Sequence, residues 1–587
     1  MVMKMKELQT LLKQKGIKYY IVPTDDDHQS ENVGDYYQFR RYLSGFTGSA
    51  GTLIVGQEGA YLWTDGRYFI QAEKELYEGI SLMKMGQAGV PTITEFLVEH
   101  LEEEDILGFD GKVMNASFIL DLEDELDFDL KFDDCDLTSI WKDRPALSHE
   151  KAFLYDVSYN GQPVASKLEW VREYMDVNEC DAHVIASLDD IAWLFNIRGH
   201  DIACNPTVLA FAIIKKNSAT LYMQKEAYDQ VMVETYATDH ISIKDYHEIY
   251  DDVAKLNGTV LCDLEAINYK LYHAMACEIM DGENPSQYFK SIKNTYEITN
   301  TKNAHLKDGV AMTKFMFYLK NNICSSQETE VTLSDKLLSF RKQQDLFIEP
   351  SFETICAYKE NAALMHYHAT PDHCAKVTSE GMLLIDSGGQ YMDGTTDITR
   401  TFVLGELSSH EKKHFTMVLK GLLALQNARF LYGATGMNLD ILARFPMWQE
   451  DIDYQCGTGH GVGHLLNVHE GPNEFRPRSR NPRKQPTILE AGMITTDEPG
   501  IYLEGKYGIR HENELLCVEG TENEYGQFMH FEVLTKCPID LDGVDENLLS
   551  DQEKSWLNTY HRDVYKSVSP YLSDEEKEWL KYYTREI

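Results

Sequence analysis

Acidic residues and histidines concentrate in three short segments in the C-terminal half of the 587-residue chain. The first segment, LLIDSGGQYMDGTTDITRT (383–401), holds Asp386 at the end of an apolar run, Asp393 before a glycine, and Asp397 in a second β-like run. A hairpin would place Asp386 and Asp397 on neighbouring strands, where two carboxylates repel each other unless a cation lies between them. Taken alone, this segment is equally compatible with turn aspartates on a surface.

The second segment, CGTGHGVGHLLNVHEGP (456–472), combines glycines with His460, His464 and His469. The glycines would let the backbone approach a ligand closely. A phosphate-binding loop is disfavoured, because no Lys-Ser or Lys-Thr pair follows the glycines. A lone histidine is usually structural, but three histidines in ten residues favour a functional site.

The third segment, ITTDEPGIYLEGKYGIRHENELLCV (494–518), places Glu498 before a Pro-Gly turn and Glu512 at the start of an apolar run. These two acids could face each other across two strands. Together the three segments offer four carboxylates and imidazole, a donor set that suits Mn²⁺ and also Co²⁺, Fe²⁺ or Zn²⁺. Four carboxylates can hold two divalent ions roughly 3.5–4 Å apart, an arrangement that activates water for hydrolysis.

The elements around these segments divide into a catalytic region and a tail. A long helical pattern over 292–320 opens the region, and strands and glycines dominate from there to about residue 540. Two near-copies, LSDQEKSWLNTYH and LSDEEKEWLKYY, follow in the tail. In each copy Ser precedes Glu by three residues, which predicts a capped helix; the pairs are Ser550 with Glu553 and Ser573 with Glu576.

The N-terminal half has an α/β pattern that occurs twice. A strand at 18–25 and a hairpin followed by a helix start at 51–70 have counterparts in the strand and helix of 181–199 and the hairpin of 207–223. We interpret this as a duplication that gives two related domains of roughly 150 residues. The chain opens with an amphipathic helix pattern that has Leu8, Leu11 and Leu12 on one face.

Composition excludes several classes of protein. The formal charge of −40 disfavours nucleic acid and anionic membrane surfaces as partners. No segment has the ~20 apolar residues that span a bilayer, and the N-terminus has no secretory h-region. The eleven cysteines include no C-x-x-C, which argues against a disulfide framework and a cysteine-rich zinc site and indicates a reducing, cytoplasmic location.

The ordered set Asp386, Asp397, His460, Glu498 and Glu512 resembles the dinuclear metal site of the pita-bread peptidases. This group includes methionine aminopeptidase, prolidase and aminopeptidase P. The strings DSGGQYMDGTTDITRT, GTGHGVG, NVHEGP and TDEPGIY are similar to the long, three-domain, cytosolic type of Xaa-Pro aminopeptidase. The N-terminal strings SGFTGSAGTLIV and LWTDGRYFIQAEK, and IKNTYEI at the start of the third region, extend the resemblance over nearly the whole chain.

The resemblance implies an α/β (α+β) fold, with two related N-terminal α/β domains followed by a pita-bread catalytic domain of the creatinase/aminopeptidase type. The expected boundaries are 1–158 and 159–291 for the two creatinase-like domains, 292–540 for the catalytic domain and 541–587 for a helical tail.

The resemblance also implies a role for each ligand position. Asp386, Asp397, His460, Glu498 and Glu512 would bind two divalent metal ions, with Mn²⁺ favoured. Asp397 and Glu512 would bridge the ions, His460 would be the sole imidazole ligand, and Glu498 would also act as general base.

Five residues match substrate-contacting positions of the family. His366 and His469 would hydrogen-bond the scissile carbonyl or the tetrahedral intermediate. Arg67, in the string TDGRYF, would bind substrate from the first domain, and Tyr502 and Arg510 would line the site near the proline ring.

One position departs from the family. Cys456 replaces a histidine that many relatives carry and that assists the transition state without binding metal. Activity would then be lower, or His464 would compensate. The remaining histidines near the site, His368, His373 and His511, are expected either to support the ligands from outside or to be structural.

These observations predict a cytoplasmic, homodimeric aminopeptidase that releases the N-terminal residue from short peptides with proline in second position. Proline has no N–H and a fixed φ, so a site shaped for a ring that needs no N–H would select it. The first alternative is a prolidase-type Xaa-Pro dipeptidase. A non-enzymatic binding module and an unrelated two-metal hydrolase are further alternatives, but the complete ligand set and the N-terminal strings disfavour them.

Overall fold

The structure is a computed structural model that describes residues 2–324, 327–479 and 485–587. The chain divides into two compact units. The first unit comprises Met1–Asp156 and Gln162–Gln287, and the second comprises Val157–Gly161 and Tyr288–Ile587. No helix in the described part of the chain is both long and apolar enough to cross a membrane.

The first unit begins with a six-stranded mixed sheet. In spatial order its strands are Ile80–Lys84, Ala60–Thr64, Thr52–Gly56, Ile17–Pro23, Ile106–Phe109 and Lys131–Asp134. Alternate residues enter two separate cores, since Val22 and Leu53 pack on one face while Ile21 and Ile54 pack on the other. Leu8 and Leu12 of the first helix are fully buried on the Val22 face, as the amphipathic pattern predicts.

The second sheet of this unit repeats the topology of the first. Its strands in spatial order are Ile241–Asp245, Ser218–Met223, Ala210–Lys215, Ala182–Ile185, Thr259–Cys262 and Glu278–Asp281. Numbered along the chain, both sheets have the order 4-3-2-1-5-6 with the same parallel and antiparallel pairings. This agreement confirms the duplication predicted from the sequence.

Short helices cover the two sheets of the first unit. They are Val2–Lys15, Phe39–Ser44, Phe69–Glu75, Ile93–His100, Ala116–Glu125, Val164–Val177, Leu188–Leu194, Gln230–Ala237, Glu248–Val253 and Tyr269–Ala274. A small antiparallel pair, Phe153–Leu154 with Ile197–Arg198, completes the unit. The helix Pro285–Ser291 spans the sequence boundary between the units.

Within its described residues, the second unit contains four antiparallel sheets, two of which have three strands. Their strands are Phe347–Pro350, Gly389–Tyr391 and Gly394–Thr395 in one, and Ile355–Tyr358, Met382–Ser387 and Ile398–Val403 in the other. A six-stranded sheet has the order Arg429–Leu431, Gly526–Val533, Asn513–Asn523, Ile494–Asp497, Gly459–Gly461 and Glu470–Phe475. A hairpin is formed by Gly500–Leu503 and Tyr507–Arg510.

Helices pack around these sheets. The helices of the second unit are Val157–Asn160, Thr295–Asn322, Glu330–Arg341, Ser409–Gln426, Gly436–Trp448, Asp551–Val568 and Asp574–Tyr583. The predicted long helix begins at Thr295 rather than at 292, because Asn294 caps it in a capping box with Glu297. Its residues Met312 and Phe315 pack against Leu383 and Phe402, which belong to the three-stranded sheet that contains Met382–Ser387.

The tail helices are part of the second unit's core. Both predicted capping boxes are present, one at the start of each tail helix. Leu557 and Val564 of the first tail helix pack with Val418 and Leu422 of the helix Ser409–Gln426. The tail therefore stabilises the packing of the helix Ser409–Gln426.

Candidate metal centre

Asp386 and Asp397 lie at the ends of two adjacent strands. The strand Met382–Ser387 pairs antiparallel with Ile398–Val403, and Asp386 is opposite Thr399. Asp397 immediately precedes the second strand, whose first residue pairs with Ser387. The chain between the two aspartates turns at Asp393, so the connection is a hairpin, as the sequence predicts.

Glu498 and Glu512 occupy equivalent places on a second strand pair. The strand Ile494–Asp497 pairs with Asn513–Asn523, and the last matched residues are Asp497 and Asn513. Glu498 and Glu512 are the next residues outward on each side. Glu512 is tied to the first strand pair, because its N–H donates to the carbonyl of Thr399 at 3.1 Å and its Oε2 accepts the Thr399 hydroxyl at 2.8 Å.

His460 is held between two glycines that permit unusually close packing. A Cβ on Gly459 would lie 1.8 Å from the Thr496 carbonyl oxygen, and one on Gly461 would lie 2.2 Å from that of Glu470. The glycines thus serve close approach to neighbouring backbone, whereas the sequence interpretation assigned them to ligand approach. The imidazole Nε2 is 3.5 Å from Asp397 Oδ2 and 3.4 Å from Glu498 Oε1.

The five residues Asp386, Asp397, His460, Glu498 and Glu512 therefore come together from three distant segments; we name them the acidic cluster. One donor atom each from Asp397, His460 and Glu512 lie within 4.8 Å of one another. Burial raises the pKa of Asp397 and of Glu512 well above the usual range, and the neighbouring carboxylates add to the shift. Burial raises the pKa of Glu498 to about 6, although His460 acts in the opposite direction.

The acidic cluster fits divalent cations. Within the described residues, Oδ1 of Asp386 and Oδ1 of Asp397 are buried and have no hydrogen-bond partner. Buried carboxylate oxygens without donors are costly unless a cation binds them. The donor set, four carboxylates with one imidazole, is oxygen-rich and suits Mn²⁺ and its neighbours.

Arg510 and Tyr502 border the acidic cluster on the hairpin Gly500–Leu503/Tyr507–Arg510. Arg510 Nη2 forms a buried ion pair with Asp386 Oδ2, and its Nη1 donates to the Tyr502 hydroxyl at 2.6 Å. Burial lowers the pKa of Arg510, but Tyr502 and Asp386 outweigh burial and hold that pKa well above the usual range. A permanent positive charge therefore lies beside the carboxylates.

His469 lies beside His460, whereas His366 lies on a separate loop of the second unit. The His469 ring lies edge-on to that of His460, with 4.3 Å between ring centroids, and its charge acts on Asp397. His366 is half-buried and follows the short 3₁₀ helix Lys359–Ala363. That helix packs tightly on the Arg510 strand, since a Cβ on Gly508 would lie 1.7 Å from the Ala362 carbonyl oxygen.

Two further predicted residues, Arg67 and His464, have contacts within their own units. Arg67 belongs to the first unit, where its Nε and Nη2 donate to the two carboxylate oxygens of Asp65 at 2.9 and 2.8 Å. His464 points to the long helix, where Nδ1 is 3.0 Å from the Thr301 hydroxyl and Nε2 is 3.3 Å from the Tyr159 carbonyl oxygen.

The three histidines expected to be structural have separate surroundings. His511 is buried against Phe415, while His368 and His373 are exposed. His368 Nδ1 lies 3.4 Å from Glu353 Oε2, and His373 Nδ1 lies 2.5 Å from the Asp372 carbonyl oxygen.

Sequence reasoning missed several residues that fix the acidic cluster. Thr399 contacts Glu512, Thr496 donates its hydroxyl to Glu498 Oε1 at 3.2 Å, and Glu514 accepts the Asp397 N–H at 2.7 Å. Strand alternation puts each of them on the same face as a predicted ligand two residues away, but strand register decides that Thr399 contacts Glu512 and that Glu514 contacts Asp397.

Arg400 links the centre to the tail. Its guanidinium donates to the Glu512 carbonyl at 2.5 Å and to the Tyr560 hydroxyl of the first tail helix at 2.7 Å. The first tail helix thus supports the strand end that carries Glu512.

Sequence models of known families match almost the whole chain. The Creatinase/Prolidase N-terminal domain matches twice, at residues 4–142 and 143–297. Metallopeptidase family M24 matches residues 299–519, and the C-terminal region of peptidase M24 matches residues 527–587. The four matches follow the duplicated first unit and the second unit in order.

Individual relatives align along nearly their full length. Aminopeptidase P2 of Arabidopsis thaliana is 38% identical over 603 residues, covering 95% of this chain and 84% of its own. A protein of Laccaria bicolor named "Probable Xaa-Pro aminopeptidase P" is 37% identical over 585 residues, covering 96% and 90%.

Two solved structures also resemble this chain. X-prolyl aminopeptidase from Caenorhabditis elegans, described as a cytosolic enzyme with a di-nuclear active site, superposes with a TM-score of 0.92 at 34% identity. The superposition covers 97% of this chain and 95% of that one. The Xaa-Pro dipeptidase from Bacillus anthracis, at 24% identity and a TM-score of 0.51 over 64% of this chain and 99% of that one, shares the fold.

Proposed function

The chain belongs to the Xaa-Pro aminopeptidase P family of M24 metallopeptidases, and on this basis we propose that it releases the N-terminal residue from peptides with proline in second position. It is a metal-dependent hydrolase with creatinase-type N-terminal domains and a pita-bread catalytic domain. The observation that carries the proposal is the convergence of Asp397, His460 and Glu512 in one buried centre, with Glu498 3.4 Å from the imidazole.

The acidic cluster would hold two divalent cations, and Mn²⁺ suits its oxygen-rich donor set best. Asp397 and Glu512, the most buried carboxylates of the acidic cluster, would be ligands of these ions. When bound, such a pair of ions lowers the pKa of water and polarises a carbonyl group. His460 would supply the one nitrogen ligand, oriented by the 2.9 Å contact between its Nδ1 and the Gly461 carbonyl oxygen.

Glu498 is the proposed general base. Its carboxylate lies 3.4 Å from the His460 imidazole at the centre, where it can accept a proton from the attacking water and return it to the leaving amine. Thr496 and the backbone N–H of Glu498, which donates to the Thr458 carbonyl at 2.7 Å, hold this side chain in place. A proton acceptor with fixed geometry needs little reorganisation during the reaction.

His469 and His366 are the proposed donors to the scissile carbonyl oxygen. His469 lies against His460 and beside Asp397, so a donor at this position can reach an oxygen bound at the centre. His366 lies on the loop that follows the 3₁₀ helix packed on the Arg510 strand. Stabilisation of the developing oxyanion is the expected contribution of both side chains.

Tyr502 and Arg510 are the proposed boundary of the proline subsite. Arg510 spans from Asp386 to the Tyr502 hydroxyl and so fixes the aromatic ring next to the acidic cluster. A ring surface that requires no N–H from the second residue favours proline over other residues. Arg67, held by its two-point contact with Asp65, is the proposed substrate-binding residue of the first unit.

We further propose a cytoplasmic homodimer that acts on short peptides. The cytosolic description of the nematode relative supports the location. An exposed apolar stripe on the helix Gly436–Trp448, made by Ile441, Phe445 and Trp448 at one-turn intervals, supports self-association of the second unit. The net charge of −40 argues against nucleic acid and anionic membranes as partners.

Hydrolysis by the Mn²⁺-reconstituted protein tests the proposal. We expect cleavage of Arg-Pro-Pro after its first residue and little or no cleavage of Arg-Ala-Ala. Cleavage of the dipeptide Ala-Pro in preference to Arg-Pro-Pro would favour the prolidase-type alternative. Absence of bound Mn²⁺, Co²⁺, Fe²⁺ or Zn²⁺ after reconstitution would contradict enzymatic function altogether.

A further inference from the structure

The sequence HEKKH at 410–414 lies outside the acidic cluster and has no role in the proposed reaction. It falls in the first turns of the helix Ser409–Gln426, so His410 and His414 are one turn apart on the same face. Their ring centroids are 4.1 Å apart. Histidines four residues apart on a helix are a recurring arrangement for binding transition metals.

A third side chain points at the same place. The hydroxyl oxygen of Tyr507 is 2.9 Å from Nδ1 of His410 and 3.1 Å from Nδ1 of His414. His410 is exposed, whereas His414 and Tyr507 are buried. The three donor atoms therefore form a half-open site with one side toward solvent.

We propose that His410, His414 and Tyr507 form a separate site for one divalent transition-metal ion, such as Zn²⁺ or Cu²⁺. Ligands about 2.0–2.1 Å from a tetrahedral ion lie about 3.3 Å from each other, so the two nitrogen–oxygen distances need to lengthen by only a few tenths of an ångström when the ion binds. The ion takes the place of the phenol proton, which is released to solvent, and both imidazoles bind in the neutral form. Two imidazoles and a phenolate leave one tetrahedral position for water.

The same residues do not form a protease site. In H-E-x-x-H peptidases the glutamate acts as general base, but Glu411 here caps its own helix. Its Oε2 accepts from the Ser408 N–H at 2.8 Å and from the Ser408 hydroxyl at 2.7 Å. The site is also distinct from the acidic cluster. Arg510, which pairs with Asp386 of that cluster, lies three residues further along the strand from Tyr507, a distance of about 10 Å.

Charged side chains of both signs lie near the proposed site. Lys413 and Lys506 act against a cation near His414, while Glu450 acts in its favour. Glu450 Oε2 is 2.7 Å from Lys413 Nζ and offsets that charge. The phenolate charge formed on metal binding offsets the second lysine.

Counting bound ions tests the site without reference to hydrolysis. Metal-free protein equilibrated with Zn²⁺ should bind one more ion per chain than the variant H410A/H414A, measured by atomic emission. The variant H149A removes an exposed histidine of the first unit and should match the wild type. Since His410 is exposed, H410A alone provides a variant with little risk to folding, and it should weaken Zn²⁺ binding at this site by more than about tenfold.

Copper spectroscopy tests the phenolate. With Cu²⁺, the wild type should show a phenolate-to-copper charge-transfer band that Y507F lacks, although Y507F keeps both imidazoles. Equal Zn²⁺ stoichiometry in the wild type and H410A/H414A would overturn the proposal. Persistence of the band in Y507F would remove Tyr507 from it.

Discussion

Asp308 and Asp397 are both almost fully buried in the second unit, but their carboxylates have different partners. Asp308 forms a two-point ion pair with Arg341, at 2.6 and 3.0 Å, and also accepts the Tyr391 hydroxyl at 2.9 Å. Asp397 instead lies among other acids, and its Oδ1 has no hydrogen-bond partner within the described residues.

This contrast distinguishes a buried acid that stabilises the fold from a buried acid that belongs to a proposed binding site. The Asp308–Arg341 pair is complete within the chain, so its burial is compensated by its own contacts. Asp397 lacks such an arginine counter-charge within the described residues, and burial together with Asp386 and Glu514 raises the pKa of Asp397 well above the usual range. The same substitution at the two aspartates should therefore have opposite effects.

The largest effect is expected on catalysis. Replacing Glu498 by Gln should lower kcat for an Xaa-Pro peptide by about 10³-fold or more, because the amide cannot accept the proton of the attacking water. D397N should likewise abolish turnover by weakening metal binding. Steady-state kinetics with Mn²⁺ measure both effects, and normal activity in E498Q would remove Glu498 from the mechanism.

The free energy of unfolding should respond in the reverse way, with a larger loss in D308N than in D397N. D308N leaves the Arg341 guanidinium buried without its counter-charge and should lower the free energy of unfolding by about 3–5 kcal/mol. D397N in the metal-free protein should not lower it, because the change removes one of several repelling carboxylates. Urea unfolding of both variants provides the comparison.

A double substitution supplies the control for D308N. Replacing Asp308 by Leu and Arg341 by Met together should recover much of the lost free energy of unfolding. Neither side chain then carries a buried charge that needs a counter-charge. A stability loss in D397N as large as that in D308N would contradict the distinction between the two groups.

The pH dependence of the metal-free protein should reveal the uncompensated acids. Burial raises the pKa of Glu498 from 4.5 to about 6. The stability that this group contributes is therefore fully present below pH 4.5 and is lost as the pH rises through 6, a change of about 2 kcal/mol. Urea unfolding after chelation should show this decrease, and E498Q should reduce its size; an unchanged dependence in E498Q would argue against the assignment.

The smallest effect is expected at Cys456. This residue is half-buried near Tyr502, and its carbonyl accepts from Arg444 at 2.6 Å through a backbone contact that any side chain preserves. C456H should therefore preserve kcat or raise it by up to about tenfold, the value of one added hydrogen bond. A large loss, measured against the wild type at saturating Mn²⁺, would show that the cysteine has a role of its own.

Much of the architecture could be predicted from local patterns. The capping pairs at Ser550 and Ser573 fixed the starts of the tail helices, and the repeated strand-hairpin pattern predicted the duplicated sheets. These features depend on neighbours in sequence, such as a hydroxyl three residues before a carboxylate. Helix starts were less certain, as the shift to Thr295 shows, because several polar residues could have served as the cap.

The sequence by itself supplied the proposed donor atoms, since the four acids, the imidazole and their order can be read from the chain, and the segment that holds them matches metallopeptidase family M24. Only the tertiary structure decided which side chains contact these donor atoms and which residues form the second proposed site. Thr399 beside Glu512, Arg510 on Asp386 and the hydroxyl of Tyr507 between two histidines all depend on strand register and helix packing. Register joins residues more than ninety positions apart, and no local pattern contains that information.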